Sequence, residues 1–394
     1  AYLGAIEGLS DRYANRAQLN PTIRGKLAAG TASAQDVIDV TPVDNATDLV
    51  TYTGYDSVGR AKYALNGAGG VTETLYDAAG RVVGTRSYAT AITIDATLKA
   101  QLTAGDPAAS GVVRDRLATV ASDARDLRSY QIYDAAGRVA ATVDGAGYVA
   151  TRSYDAAGRP VLERRQAQAA SINAALWTKL AAGTATSSEL AAVAPQSASA
   201  DAIVRHIYDA AGRERYTLVQ NTASTYLVSE RRYDGAGRVI AQYRYSVPVA
   251  IGPVATPAQV GAALNAAGAY ATADRYRSTQ YVFDAAGRVR FTVDDLGTVN
   301  EQRYDGAGRI VESRRYGGYI SIATPMNETA VSTAVAGIAD VRKTTTVYDA
   351  MGRVRTVTDA LGQYEQYSYN PLGQVVSYRN KNGHTWTYGY DLAG

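Results

Sequence analysis

Phenol, carboxylate and guanidinium recur together in this chain at fixed spacing, which is the first place to look for chemistry. The stretch Tyr-Asp-Ala-Ala-Gly-Arg sets out Tyr76, Asp77, Gly80 and Arg81, then Tyr133, Asp134, Gly137 and Arg138. It returns as Tyr154, Asp155, Gly158 and Arg159, and as Tyr208, Asp209, Gly212 and Arg213. Variants supply Tyr233, Asp234, Gly237 and Arg238; Phe283, Asp284, Gly287 and Arg288; Tyr304, Asp305, Gly308 and Arg309; and Tyr348, Asp349, Gly352 and Arg353. Looser copies begin at Tyr55, Tyr369 and Tyr390. Tyr, Asp and Arg repeated in this way could form a ligand surface, but a catalytic group is not needed in every repeat. The spacing suits a turn better. Asp at the first corner accepts from backbone N–H groups, and Gly at the fourth takes the left-handed conformation. In a hairpin this is a type I turn closed by a G1 bulge. It places Tyr133 opposite Val139 and Asp134 opposite Arg138, an apolar and a charged cross-strand pair. Pro371 on the second corner of Asn370-Pro371-Leu372-Gly373 fits the same geometry.

Other reactive residues are sparse. Only His206 and His384 are available as imidazole ligands, in different repeats, and Cys is absent, so neither a thiolate metal site nor a disulfide can form. Metal, cofactor and catalytic residues are therefore expected to be none. Asp294-Asp295 is a carboxylate pair, but Asp294 occupies a turn corner. Gly67, Gly69 and Gly70 belong to a hairpin turn and precede no helix, unlike a phosphate loop. The doublets Arg164-Arg165, Arg231-Arg232 and Arg314-Arg315 lie near Tyr, a pairing that can bind nucleic acid or acidic glycan. With 40 basic against 37 acidic residues and a net charge of +3, pairing within the sheet is the better expectation, and no specific nucleic acid is implied.

The elements that carry these groups are set by period. Tyr-Asp starts at 55 and 76, 133 and 154, 283 and 304, 348 and 369 are 21 residues apart, and a second Asp/Asn-x-x-Gly turn falls midway. Examples are Asn66 to Gly69, Asp144 to Gly147, Asp294 to Gly297, Asp359 to Gly362 and Asn380 to Gly383. Turns every ten or eleven residues leave strands of six or seven, an antiparallel β-meander. Thirty Tyr against two Phe suits a thin sheet wet on at least one face. Between meanders lie Ala/Leu-rich stretches bounded by helix start and stop signals: Pro21 to Gly30, Ala96 to Gly105, Asn173 to Gly183 and Pro257 to Gly268. Shorter helical pieces follow at Ser33 to Val40, Pro107 to Val120 and Ser187 to Val193, and one helix is expected around Glu328 to Ile338. Each insert is expected as a small helical hairpin on, or projecting from, one edge of the sheet.

The fold class that results is mainly β: a repetitive antiparallel meander with short helical inserts every ~75 residues. The whole of 1–394 reads as a single array, a fragment of a longer chain. Its super-repeats fall near 1–54 (partial), 55–132, 133–207, 208–282, 283–347 and 348–394 (partial). No apolar window approaches a membrane span, and Ala1 opens on no signal-peptide pattern. Sequons at Asn45 and Asn327 carry no implication by themselves.

The Tyr-Asp-x-x-Gly-Arg units at 21-residue spacing resemble the YD or RHS repeats of bacterial Rhs proteins, Tc-toxin B/C components and the teneurins. The resemblance implies a β-sheet that spirals into a hollow shell, around a C-terminal toxin in the bacterial members. It also implies a secreted or cell-surface bacterial structural protein without catalysis in this region. Its partners would be further repeats of the same chain and an enclosed toxin domain. The chain departs from the pattern in its regular helical inserts. The Asp-Pro-x-Gly motif that closes such shells before an autoproteolytic cut is absent, Asn370-Pro371-Leu372-Gly373 being the nearest match, so that role is not carried over. An extracellular fibre or adhesin, self-assembling and presenting Tyr and Arg to polysaccharide or a neighbouring cell, is the other expectation.

Overall fold

A computed structural model describes residues 50–120, 125–195, 200–322 and 326–390, together with Lys26, Thr31 and Ser197. Apart from Lys26, which is helical, the helices expected at 21–30 and 33–40, the sequon at Asn45 and the repeat residues beyond Tyr390 lie outside the described residues. The protein is mainly β, with 22 strands of antiparallel sheet and six short α-helices among the described residues. The chain divides into two compact units. The larger is Thr51–Arg303 with Arg314–Arg342; the smaller comprises Ala1–Val50, Tyr304–Ser313 and Lys343–Gly394.

In the larger unit successive strands pair with their sequence neighbours as a meander, from Thr51–Tyr55 onward. The reason is local. At Asp134-Ala135-Ala136-Gly137-Arg138, the Asp134 N–H donates to the Arg138 carbonyl at 2.8 Å and the Gly137 N–H to the Asp134 carbonyl at 2.9 Å. Gly137 sits at φ 78°, a conformation an L side chain enters only with strain. Register slips by one residue beside the turn, so that Ile132 faces Ala141 while Tyr133 faces Val139. That bulge sets which side chains point to which face.

Alternation makes one face apolar, and the inserts cover it. In the first described insert α1 (Ala96–Thr103) is capped by Asp95, whose carboxylate accepts from the Leu98 N–H, and α2 (Ala108–Thr119) follows. The second holds α3 (Ala174–Ala182), capped by Asn173 and ended by left-handed Gly183, and α4 (Ser187–Val193), opened by a Thr186/Glu189 capping box. The third has one α-helix, α5 (Pro257–Ala266), then a 3-10 turn at Ala273–Arg275; the last has α6 (Glu328–Val335) capped by Asn327.

The helices lie over a face of the sheet and not along an edge, which corrects the expected placement. Four of them bury a pair of apolar residues four apart: Leu98/Leu102, Leu176/Leu180, Val260/Leu264 and Val331/Val335. These meet the alternate strand residues Leu65 and Val71, Val143 and Val149, Leu218 and Val228, and Val293 and Val299. A side chain of this size contributes about 1.5–3 kcal/mol when buried, so an apolar sheet face gains far more from a lid than an edge would. Each insert folds back over the strands that precede it.

The smaller unit is itself a meander from Lys343 through Thr385–Thr387, with its own turns at Asp349, Asp359, Asn370 and Asn380. Its positions equivalent to the helix-covered face carry Thr356, Thr358, Tyr364 and Gln366, a polar set that needs no lid.

Candidate functional site

The repeated Tyr, Asp and Arg assemble into a ladder along the edge where the turns lie. Within each turn the Asp is fully engaged. Asp134 Oδ1 accepts from the Ala136 and Arg138 N–H groups at 2.9 Å, and Oδ2 from Arg138 Nε at 2.8 Å. The same Nε bond, at 2.7 or 2.8 Å, joins Asp77 to Arg81, Asp155 to Arg159, Asp209 to Arg213, Asp234 to Arg238, Asp284 to Arg288, Asp305 to Arg309 and Asp349 to Arg353. The backbone and guanidinium donors of Arg138 hold the Asp134 carboxyl below the usual Asp range, and those of Arg159 do the same for Asp155.

Seven of these guanidinium groups then reach out of their own turn to the aromatic ring of the next. Arg81 lies over Tyr133, Arg138 over Tyr154, Arg159 over Tyr208, Arg213 over Tyr233 and Arg238 over Phe283, at 4.3–4.5 Å from the ring centres. In the smaller unit Arg309 covers Tyr348 at 4.6 Å and Arg353 covers Tyr369 at 4.5 Å. The hydroxyl of that Tyr closes the link. Tyr133 donates to the Val82 carbonyl at 2.6 Å, and Tyr154, Tyr208 and Tyr233 donate at 2.7–2.8 Å to those of Val139, Pro160 and Glu214. Asn370 and Gln374 substitute an amide pair at 2.6 Å for one Asp–Arg pair. In these links carboxylate, guanidinium and hydroxyl engage one another or the backbone, so the arrangement fastens turn to turn.

Under the inserts lies a second polar system. Glu230 and Glu301 are 1% and 2% exposed, and each is neutralised in place. Glu301 receives Arg290 Nη2 at 2.5 Å, Arg303 Nε at 2.9 Å and the Tyr316 hydroxyl at 2.7 Å, with Arg314 Nε at 3.7 Å. Burial pushes this carboxyl up, but the Tyr316 hydroxyl and the arginines outweigh it and hold it below the ordinary Glu range. Glu230 receives Arg215 Nη2 at 2.6 Å, Arg232 Nε at 2.9 Å and the Tyr245 hydroxyl. Glu73 takes the Tyr88 hydroxyl at 2.8 Å in the same way. Where this position holds Thr151, residue 166 is Gln instead of Tyr. The signal was present in the sequence as a Glu with a Tyr fifteen residues later, but it has no meaning until the register is known.

The remaining candidates resolve individually. His206 Nδ1 lies 2.5 Å from Glu214 Oε1, and desolvation lowers its pKa. Asp294 accepts from the Leu296 and Thr298 N–H groups as a turn corner, while Asp295 meets Arg277 at 3.2 Å. Of the arginine doublets, Arg164 pairs with Asp201 at 2.9 Å, Arg231 with Glu214, Arg232 with Glu230 and Arg314 with Glu301. No group of three or more His, Cys, Asp or Glu able to hold a metal ion occurs among the described residues. No helix among them is long and apolar enough to cross a membrane.

Comparison with known proteins places RHS repeats in both units: the RHS Repeat family model matches residues 133–169 and 348–383. No curated protein matches the chain. Among solved structures it is similar to TcdB2-TccC3, at 16% identity over 87% of this chain and a TM-score of 0.41. A second likeness is to the Tc holotoxin pore of Photorhabdus luminescens, at 17% identity over 88% of this chain and a TM-score of 0.36. The chain spans only 15% and 16% of the length of those two chains.

Proposed function

We propose that this chain is a non-catalytic stretch of wall in a secreted or cell-surface bacterial protein, part of a β-shell that encloses or delivers a C-terminal toxin. The observation that carries the reading is the ladder of turns. Asp134 is committed to Arg138, Arg138 to Tyr154, and the Tyr154 hydroxyl to the Val139 carbonyl. Such a chain of links builds a continuous surface and leaves no reactive group free in the motif. The RHS family match in two places supports it, and the helical inserts thicken one face of the wall. Its mechanism is containment: the wall separates a cargo from the surroundings by being continuous. Electron microscopy of the full-length protein that carries this array tests the reading. Closed hollow particles are expected. Long filaments with a period near one super-repeat would overturn the wall in favour of a fibre.

A further inference from the structure

The face of the larger unit that the helices leave bare is polar over most of its extent. Thr72 and Ser87 pair their hydroxyls at 2.9 Å, and Thr85 and Ser129 at 3.0 Å. Exposed Leu127, opposite Ser87, is a single apolar residue on this face, and one region breaks the pattern over three adjacent strands. Val204, Val219 and Leu227 stand in a single cross-strand register, Val219 facing both of the others. Their neighbours in sequence, Leu218 and Val228, are buried beneath the insert, so strand alternation turns this trio outward. Val219 is 48% exposed and Leu227 37%.

The fourth member of this rung, Glu163 opposite Val204, is paired with Arg152 at 2.9 Å, and the charges at the rim that lack a carboxylate partner are basic. Arg244 faces Ser229, one alternation beyond Leu227, and directly opposes Arg277 on the next strand. Like charges in direct cross-strand positions are destabilising. Arg277 reaches Asp295 at 3.2 Å, but exposed Arg244 has no carboxylate partner among the described residues. On the other flank exposed Arg165 faces Ala150 and Ala202, again without a carboxylate partner. It borders a groove of about 330 Å³ floored by Ala140, Thr142, Ala150 and Ala202. No residue of an insert lines that groove. An apolar centre spanning three strands and flanked by arginines has the make-up of a protein contact.

We infer that Val204, Val219 and Leu227, with Arg165 and Arg244 at their flanks, form a docking strip for an extended polypeptide segment whose sheet-facing side chains are aliphatic in the middle and acidic at each end. The rung from Glu163 through Leu227 crosses four strands, roughly 15 Å, which about five extended residues would cover. Aliphatic side chains would meet the trio, and carboxylates on either side would satisfy the two unpaired guanidinium groups. This goes beyond the wall reading and does not depend on whether the array closes.

The test uses the 394-residue chain and the fluorescein-labelled peptides Glu-Ser-Leu-Ser-Leu-Ser-Glu (the Leu/Glu peptide) and Lys-Ser-Leu-Ser-Leu-Ser-Lys (the Leu/Lys peptide), whose Leu and charged residues share one face when extended, and an oligothymidine, read by fluorescence anisotropy. The Leu/Glu peptide is expected to bind and to weaken with salt. Binding should fall by about tenfold or more, near 1.4 kcal/mol, in Arg244→Glu and in the double variant Val219→Ser, Leu227→Ser. Both variants change exposed side chains, and unchanged melting curves confirm their folding. Equal binding of the Leu/Lys peptide, preference for oligothymidine, no binding of the Leu/Glu peptide, or wild-type affinity in both variants would each overturn the proposal. Electron microscopy decides the wall reading separately, so the two can fail independently.

Discussion

The guanidinium of Arg138 lies 4.3 Å from the ring centre of Tyr154, while the Tyr154 hydroxyl donates at 2.8 Å to Val139, the residue after that arginine. Two consecutive residues therefore grip Tyr154 of the next turn, one at its face and one at its tip. Arg138→Lys keeps the charge but loses the planar fork and the stack. It should cost about 1–2 kcal/mol in urea unfolding. A double-mutant cycle with Tyr154→Leu should return a coupling energy well outside error; simple additivity would mean that the stack does not hold the turns together.

Phe283 differs from the tyrosines of the other turns: it stacks on Arg238 at 4.4 Å without a hydroxyl to donate. By the pattern of the other turns its missing partner is the Val239 carbonyl. Phe283→Tyr should supply that bond and stabilise by about 0.5–1.5 kcal/mol. A lower melting temperature would show that this turn is spaced differently from its neighbours.

Two glycines should respond in opposite senses. Gly137→Val forces a β-branched side chain to φ 78° and should destabilise by more than about 1 kcal/mol. Gly111 lies inside α2, where an added Cβ meets nothing within 4 Å. Gly111→Ala should stabilise by up to about 1 kcal/mol. Paired melting curves read both.

Removing the charge of Glu301 leaves Arg290, Arg303 and Arg314 facing one another under α6. Glu301→Gln should cost about 3 kcal/mol or more, and protease cleavage of the insert at 320–340 should accelerate. Wild-type cleavage rates would argue that the arginines relax outward to solvent.

The carboxyls of Asp134, Asp155, Asp305 and Glu301 all have pKa values lowered in the folded protein. A lowered folded value means the stabilisation is present above the ordinary carboxylate range and is lost as pH falls through the folded values. The melting temperature should therefore be nearly flat at neutral pH and drop steeply below about pH 4. Many turns titrate together, so the drop should be steeper than for a sheet protein with few ion pairs. A melting temperature that holds to pH 2 would contradict it.

Much of this fold was legible because its instructions are local. Asn173 and Gly183 bracket α3, Thr186 opens α4, and Asp with Gly three residues on marks each turn. What was not legible depends on register. Nothing near Arg81 announces that its stacking partner is Tyr133, because an insert of variable length separates them. Nor does Glu230 look different from a solvent-facing Glu until the strand order puts it beneath α5 among Arg215, Arg232 and Tyr245. The inserts were expected at an edge because helix signals reveal where a helix is but not which face it covers. That follows from the parity of Leu65, Val71 and their equivalents.

In every link the later residue completes the earlier one. Tyr133 closes on Val82, Tyr154 on Val139 and Tyr208 on Pro160, and each helical lid returns to strands already laid down. The array therefore has a grain. A chain emerging amino end first can lock each hairpin as the next one arrives, without waiting for the whole. Pulled from its carboxyl end, the same chain would release its latches one at a time, each opening exposing only the next.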